Sequence, residues 1–257
     1  MTPKSYALND VSIAASAKIS QSSEARHLQD AFGFVGADVS SELVRDLSFQ
    51  LTSGKLTLIC GASGSGKSLL LRACADLLKG NERGVRTDGS LIDIRGSVDT
   101  SAVVAELPAL APDKTPLELK GRVPLDQFLN VTAKCGLAEP QLFVRPLSSL
   151  SSGQQYRLQV ALAFLERPDV VVIDNFCEPL DRFTALAVIR GIKQLASELG
   201  VAVLAATASY DRLSKLPGID QAVLLRRGDR PIVTEHIGPD DLQEGFLLEP
   251  LPSEGAK

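Results

Sequence analysis

A glycine-rich segment of eight residues constrains the fold of this chain more than any other feature. It reads Gly61-Ala62-Ser63-Gly64-Ser65-Gly66-Lys67-Ser68. A short apolar run, 56–60, precedes it, and a segment with helical periodicity begins at Leu69. A strand, a glycine-rich turn that ends in Gly-Lys-Ser and a helix together form a phosphate-binding loop. The alternative, a flexible Gly/Ser-rich turn, is disfavoured by the strand before the segment and the helix after it.

The residue types in this segment suit a nucleoside triphosphate with magnesium. Glycines let several backbone N–H groups converge on one anion, and the helix N-terminus behind them adds its positive dipole end. Lys67 is predicted to reach the β- and γ-phosphates, and Ser68 is predicted to ligate Mg²⁺. The sequence therefore predicts a triphosphate site over residues 61–68.

Length and composition are those of an ordinary soluble globular protein. The 257 residues are 44% hydrophobic and 23% charged, which suffices for one large or two small domains. A net charge of -4 gives no overall basic surface for nucleic acid. No apolar run approaches the length of a membrane span, and residues 1–5 lack the apolar core of a secretory signal. The four cysteines show no metal or disulfide spacing, which is typical of reduced thiols in a cytoplasm.

A second motif narrows the class of protein. Leu150-Ser151-Ser152-Gly153-Gln154 stands shortly before an apolar run, 170–173, that leads into Asp174. The order of phosphate loop, Ser-Gly motif, acidic strand end and then Leu180-Asp181 resembles that of ABC-type ATPases, over roughly residues 30 to 235. Taken alone, the segment 150–154 has the alternative interpretation of a Ser-rich helix cap.

The fold predicted is α/β: a P-loop NTPase core with a mostly parallel sheet, antiparallel N-terminal strands and a small inserted α-helical subdomain at about 107–165. The continuous apolar run 170–173 indicates a strand that is buried on both faces. In the helical part, Leu125, Phe128 and Leu129 are expected to share one apolar face. We assign 29–237 to an ABC-type nucleotide-binding domain and 238–257 to a C-terminal tail. Residues 1–28 are assigned to an N-terminal arm or remnant, with a loose arm, a peripheral strand and the remnant of a preceding domain all open over the first 25 residues.

The resemblance implies that ATP joins two subunits. In the family, the Ser-Gly motif of one subunit caps the γ-phosphate that the phosphate loop of another subunit holds, in a head-to-tail pair. Ser151, Gly153 and Gln154 are thus expected to contact the nucleotide of a partner subunit. Hydrolysis removes the γ-phosphate and weakens the pair. The sequence leaves open whether the dimer is homomeric or heteromeric.

Three further positions receive expected roles. Asp174 is expected to hold Mg²⁺ beside Ser68, with a strand-end cap as the alternative. Asp181 matches the loop that crosses the dimer interface in the family, and it can also be the N-cap of the helix that follows. Phe34 is the candidate for stacking on adenine; Phe32 is its competitor, and a simple core role is the alternative for both.

Catalytic positions depart from the family pattern. Asn175 stands where a glutamate usually polarises the attacking water, and Ala208 stands about where a histidine usually contacts the γ-phosphate. Glu106 falls where a glutamine normally links Mg²⁺ to the helical subdomain. Asparagine can orient water but cannot accept a proton at neutral pH, so slow turnover is expected. Glu178, three residues further on, can substitute only if the fold brings it to the site.

The sequence thus predicts a cytoplasmic ABC-type ATPase that dimerises around Mg-ATP and hydrolyses it slowly. One alternative is an ATP-dependent dimerisation switch without turnover, which Asn175 and Ala208 favour. The other is the ATP-binding subunit of a membrane transporter, for which 107–150 is the docking region. The loop 176–182 departs from transporter-type members and looks more like soluble members, including ones joined to acetyltransferase-like domains.

Overall fold

The computed structural model describes residues 3–17, 22–32, 39–81, 86–87, 90–208, 218–225 and 230–235. The strands are β1 Ser5–Ala17, β2 Val39–Thr52, β3 Leu56–Gly61, β4 Arg86–Thr87, β5 Ser90–Val98, β6 Val104–Glu106, β7 Val170–Ile173, β8 Ala202–Thr207, β9 Gln221–Leu225 and β10 Ile232–Thr234. The helices are α1 Ser23–Phe32, α2 Lys67–Leu78, α3 Pro116–Leu119, α4 Leu125–Lys134, α5 Ser152–Leu165 and α6 Arg182–Leu199. Short 3-10 helices span Pro140–Leu142 and Leu147–Ser149.

The larger sheet carries the strands on which the predicted site depends. Its order is β10-β9-β3-β8-β7-β6, and every neighbouring pair is parallel except β10 with β9. Parallel neighbours need long crossovers, and the helices α2, α5 and α6 lie in the connections between these strands. The predicted mostly parallel α/β sheet is confirmed.

Both faces of the larger sheet are buried along its inner strands β3, β7 and β8. Leu58 belongs to an apolar core that includes residues of α4, α5 and α6, whereas its neighbour Ile59 belongs to a second core with residues of α2 and the small sheet. Strand β7 is buried along its whole length and alternates between the same two cores. The continuous apolar pattern of β7 therefore reflects burial on both sides, as predicted.

The smaller sheet contains the first part of the chain. Its order is β2-β1-β5-β4, and its neighbours are antiparallel. Of the three interpretations open for the first 25 residues, a strand is the one present over Ser5–Ala17, but it is interior rather than peripheral. Leu8, Val11 and Ile13 are fully buried, so this strand supplies core to the fold. The predicted domain boundaries themselves stay predictions.

Helix α4 turns a different face inward from the one its sequence indicated. Phe128 is fully buried and makes an edge-to-face contact with Phe143, with ring centroids 5.2 Å apart. Leu125 and Leu129, however, are 51% and 36% exposed. The prediction of one shared apolar face is wrong for these two leucines, because α4 packs on its neighbours through Phe128, Val131 and Thr132. Among the described residues, no helix has the length and apolar character that crossing a membrane would require.

Gly191 allows α6 to lie directly against the end of α4. A Cβ added at Gly191 would lie 1.7 Å from the backbone oxygen of Lys134. Replacing Gly191 with alanine must push the two helices apart, and we expect it to lower the free energy of unfolding by about 3 kcal/mol. Urea denaturation would measure this loss. Ser197→Ala, at an exposed position of the same helix, is the matched control and should change stability by less than about 0.5 kcal/mol.

Candidate functional site

The carboxyl edge of the larger sheet gathers the residues that the sequence singled out. Strand β3 runs into the glycine-rich segment, β7 runs into Asp174 and β8 runs into Ala208. Cys60 pairs with Thr207, and Ile173 pairs with Ala205, so these three strand ends are neighbours. Residues that follow parallel strands at one edge form the usual binding crevice of such sheets.

The glycine-rich segment has the backbone of an anion site. Gly64 and Gly66 have φ of 77° and 92°, which is the left-handed region where a side chain is disfavoured. Helix α2 begins at Lys67, and no side chain caps its N-terminus. The first-turn N–H groups of a helix need partners from outside the helix, and here a ligand anion can be that partner.

The Lys67 ammonium lies across this segment. Its Nζ donates a hydrogen bond to the backbone oxygen of Ala62 at 2.7 Å, and the residue is only 9% exposed. Burial lowers the pKa of Lys67, while the nearby carboxylates of Glu178 and Asp174 act in the opposite direction. A phosphate placed here would compensate the desolvated charge, so the site favours an anionic ligand.

Ser68 and Asp174 meet although 106 residues separate them. Ser68 Oγ donates to Asp174 Oδ1 at 3.0 Å, and the same oxygen accepts the N–H of Asn175 at 2.9 Å. Hydroxyl and carboxylate oxygens are ligands that Mg²⁺ prefers, and Mg²⁺ usually takes only one or two from the protein. Across the described residues there is no group of three His, Cys, Asp or Glu that could cage a metal alone. The pair therefore fits a Mg²⁺ that is shared with phosphate oxygens and water.

Ser65 adds a second sign that a ligand completes the site. Its Oγ is buried and, within the described part of the chain, has no hydrogen-bond partner. Leaving a buried hydroxyl unpaired costs about 1–3 kcal/mol. An acceptor brought by a ligand would remove that cost.

The Ser-Gly motif begins helix α5. Ser151 is the N-cap: its Oγ accepts the N–H of Gln154 at 3.2 Å, and its own N–H donates to Gln154 Oε1 at 2.9 Å. The helix-cap interpretation thus describes the local structure. Ser151 remains exposed, and its contact with a partner's nucleotide stays a prediction. A Cβ at Gly153 would come within 3.2 Å of Leu180 Cδ2, so a glycine there also allows close packing on the loop after β7.

Asp181 is the N-cap of helix α6. Its Oδ1 accepts the N–H groups of Phe183 and Thr184 at 2.9 and 3.0 Å, and its Oδ2 accepts the Thr184 hydroxyl. These hydrogen bonds, chiefly the one from the Thr184 hydroxyl, lower the pKa of Asp181. The predicted capping role is present, and the predicted role at a subunit interface stays a prediction.

Tyr156 connects helix α5 to the loop after β7, and sequence reasoning gave it no role. Its hydroxyl accepts the backbone N–H of Cys177 at 2.9 Å. Burial raises the pKa of Tyr156 well above its ordinary value, so the phenol stays protonated. The contact joins residues that are 21 positions apart, and nothing in the local sequence around Tyr156 indicates it. The sequence therefore did not predict this role.

Glu178 reaches the end of strand β8. Its Oε1 accepts the backbone N–H of Ala208 at 3.0 Å, across 30 residues of sequence. A carboxylate is thus held against the backbone N–H of Ala208, and the assignment of Ala208 to the position of the family's usual histidine stays a prediction. From the sequence alone, the position of Glu178 relative to the site could not be predicted.

Glu106, Phe34 and Phe32 are the remaining residues to which the sequence gave a role. Glu106 ends strand β6, forms an ion pair with Lys79 at 2.6 Å and lines a groove of about 180 Å³ together with Asp174. Its link to Mg²⁺ stays a prediction. Phe34 falls outside the described residues, and its competitor Phe32, in α1, is 76% exposed.

The fold and the site define a P-loop α/β nucleotide-binding protein. A sequence model described as ABC transporter matches residues 44–178, just over half of the chain. The chain therefore belongs to the ABC family and is an ATP-binding, ABC-type ATPase domain.

Similar curated proteins carry the same kind of domain. The chain is 27% identical to a petrobactin import ATP-binding protein of Bacillus anthracis over 72% of this chain and 73% of the relative. It is 34% identical to a zinc import ATP-binding protein of Ruegeria pomeroyi over 63% of this chain and 61% of the relative.

Solved ABC transporters share the fold. A putative metal-chelate type ABC transporter in an inward-facing conformation superposes with a TM-score of 0.58 at 18% identity, over 88% of this chain and 83% of that chain. A bacterial Atm1-family ABC exporter with ATP bound gives a TM-score of 0.62 at 17% identity. That match covers 96% of this chain but only 41% of the exporter chain.

Proposed function

We propose that this chain binds Mg-ATP at residues 61–68, dimerises around the nucleotide and hydrolyses it slowly to drive a conformational switch. The observation that carries the proposal is the hydrogen bond between Ser68 and Asp174 beside the buried Lys67 ammonium. Two groups that suit Mg²⁺ and one that suits phosphate thereby meet at the end of three neighbouring strands.

Each side chain has a distinct task in binding. The N–H groups of the glycine-rich segment and the Lys67 ammonium hold the phosphates, with Lys67 leaving the Ala62 oxygen to do so. Ser68 and Asp174, which share a hydrogen bond, are the residues that would hold Mg²⁺. When bound, Mg²⁺ would neutralise charge that develops on the phosphate oxygens.

Exposed groups near the site support dimerisation. Ser151 lies exposed at the N-terminus of α5, where the positive end of a helix dipole is available to a partner's phosphate. Phe183, two residues after Asp181, is 85% exposed. An exposed phenylalanine is costly in water, so a second subunit that covers it would gain apolar burial. These features suit a partner that docks on the carboxyl edge of the sheet.

Slow hydrolysis follows from the residues at two catalytic positions. Asn175 offers an amide where a base is usual, and Ala208 has no polar side chain for the γ-phosphate. Assistance by a general base typically contributes 10²–10⁴-fold to a rate. We therefore expect phosphate release that is measurable but far below that of relatives with both groups.

Introducing the missing carboxylate should accelerate turnover. We expect Asn175→Glu to raise phosphate release by about tenfold or more, since a carboxylate can accept the proton of water. Asn175 has φ of 53°, which asparagine tolerates better than glutamate, so the variant should also lose about 1 kcal/mol of stability. Asn175→Gln is the matched control, because it has the same length and backbone strain without the charge. Equal rates for the two variants would contradict a base role at this position.

Oligomer mass and phosphate release, measured under three conditions, test the proposal. The purified protein is examined without nucleotide, with Mg-ATP, and with Mg²⁺ plus a non-hydrolysable analogue. We expect the protein to be a dimer with the analogue and to release phosphate slowly with ATP. A stable ATP dimer that releases no phosphate, but does so after Asn175→Glu, would instead support the switch without turnover. A chain that retains no adenine nucleotide would contradict both.

A transporter subunit is the second candidate. Two curated relatives are named as import ATP-binding proteins. A groove of about 330 Å³ lies between the chain after β6 and the end of α5, with Leu110, Val123 and Leu162 among its lining residues. Such a groove suits a short helix of a membrane partner. Co-purification of a multi-span membrane protein with the tagged chain would favour this candidate.

A further inference from the structure

We propose that Glu178 supplies the carboxylate that accepts a proton from the attacking water, in place of the glutamate that is missing at position 175. This inference rests on the proposed ATP hydrolysis and deepens it. It assigns the residual activity to one side chain and predicts why the activity is not zero.

The Glu178 carboxylate lies at the carboxyl edge of the larger sheet. Glu178 Oε1 accepts the N–H of Ala208, and Ala208 follows the strand that pairs directly with β3. Burial lowers the pKa of Lys67, and the nearby charges of Glu178 and Asp174 act against that shift. A carboxylate held at the end of β8, beside the strand that leads into the glycine-rich segment, lies on the side of the site where a γ-phosphate would be bound.

The backbone of the loop explains how Glu178 returns to the sheet edge. Asn175 and Cys177 both have positive φ, at 53° and 57°. The N–H of Phe176 donates to the Ala206 oxygen at 2.7 Å, and the N–H of Glu178 donates to the Asn175 oxygen at 3.1 Å. The chain therefore makes a tight turn against β8, which leaves Asn175 exposed and Glu178 half-buried.

Helix α5 helps to hold that turn in place. The Tyr156 hydroxyl accepts the N–H of Cys177, and Leu180 packs within reach of Gly153. Both contacts come from the first turns of α5, the helix that Ser151 caps. The position of Glu178 is thus tied to the helix whose N-terminus is proposed to meet the partner's nucleotide.

Hydrolysis with Glu178 as the base requires only ATP and water as reactants. The water oxygen forms a bond to the γ-phosphorus, and the bond from that phosphorus to the β,γ-bridging oxygen breaks. The bridging oxygen leaves with the electron pair as part of ADP. Since Oε1 is held by Ala208, Oε2 is the oxygen that takes the water proton, which passes on to the released phosphate.

A purely structural role for Glu178 makes a different prediction. If the carboxylate only capped the N–H of Ala208, a glutamine amide oxygen would accept the same hydrogen bond equally well. If it is the base, glutamine keeps the shape and the hydrogen bond but loses the proton acceptor. Glu178→Gln therefore separates the two roles while preserving the fold.

The test measures hydrolysis, binding and dimer lifetime for Glu178→Gln. We expect kcat to fall by about a hundredfold, with the affinity for ATP changed by less than about threefold. The ATP-loaded dimer should last correspondingly longer, because ATP stays intact. Glu139→Gln, at an exposed position after α4, is the control and should match the wild type in all three readouts. In the double variant Asn175→Glu/Glu178→Gln, the new carboxylate should restore phosphate release.

Each result has a definite meaning. Hydrolysis by Glu178→Gln within about threefold of the wild type would overturn the inference and leave the proposed function standing. A loss of ATP affinity that matches the loss of rate would also overturn it, because Glu178 would then act in binding or folding. A wild-type protein that binds ATP and releases no phosphate would overturn the proposed hydrolysis together with this inference.

Discussion

Replacing Lys67 with alanine is expected to lower the affinity for Mg-ATP by about a hundredfold or more, since charge-assisted hydrogen bonds to phosphate would be lost. Lys67 is buried at the start of α2, and its Nζ donates a hydrogen bond back across the glycine-rich segment to the Ala62 oxygen. This burial and hydrogen bond fix the position of the Lys67 ammonium within the site. Equilibrium dialysis with labelled ATP would measure the affinity.

The fold should tolerate this change. Burial lowers the pKa of Lys67, so the desolvated charge is not what stabilises the free protein. Thermal denaturation without ligand would check that the variant is folded. Lys55→Ala is the matched control: Lys55 is exposed in the turn before β3, at the opposite end of that strand, and ATP affinity should not change. Unchanged affinity in Lys67→Ala would contradict the assignment of residues 61–68 as the phosphate site.

Replacing Ser151 with arginine is expected to abolish the ATP-dependent dimer while leaving ATP binding by each subunit unchanged. The residue is exposed at the N-terminus of α5, so a long side chain there can extend into solvent. In the proposed dimer this surface faces the partner's γ-phosphate, and the arginine would keep the two surfaces apart. Sedimentation with Mg²⁺ and a non-hydrolysable analogue would measure the mass.

Two controls separate this effect from loss of the helix cap. Ser151→Arg also removes the capping box with Gln154, which should lower stability by about 1 kcal/mol. Ser151→Ala removes the same cap without added bulk and should retain part of the dimer. Ser197→Arg places the same charge at an exposed position near the C-terminus of α6 and should not affect dimerisation. An intact ATP-dependent dimer in Ser151→Arg would make the assignment of the Ser-Gly motif wrong.

Sequence reasoning succeeded where short segments carry their own chemistry. The glycine-rich segment and the capped start of α5 each depend on neighbours within a few residues. In the structure, Gly64 and Gly66 are left-handed, and Ser151 caps α5. The contact between Ser68 and Asp174 was also within reach, because parallel strands end at a common edge.

Sequence reasoning failed where a residue's surroundings come from distant parts of the chain. Leu125 and Leu129 have the spacing of an inward face, yet only the packing of α4 on its neighbours decides that Phe128 is buried and they are not. The strand β1 shows the same limit. Its sequence is rich in Ser and Ala, and it lies inside the small sheet because β2 and β5 pair with its two edges.

The amino-acid sequence by itself determined the glycine-rich segment, the order of the motifs and the family that they indicate, whereas the catalytic positions assigned to Asn175 and Ala208 stay predictions. The segment and the motifs are matters of residue type and local backbone preference. The tertiary structure alone decided that Glu178 meets Ala208, that Tyr156 holds Cys177 and that Gly191 must lack a side chain. Each of those contacts joins segments that are 21 to 57 residues apart, so only the packing of the whole domain brings them together.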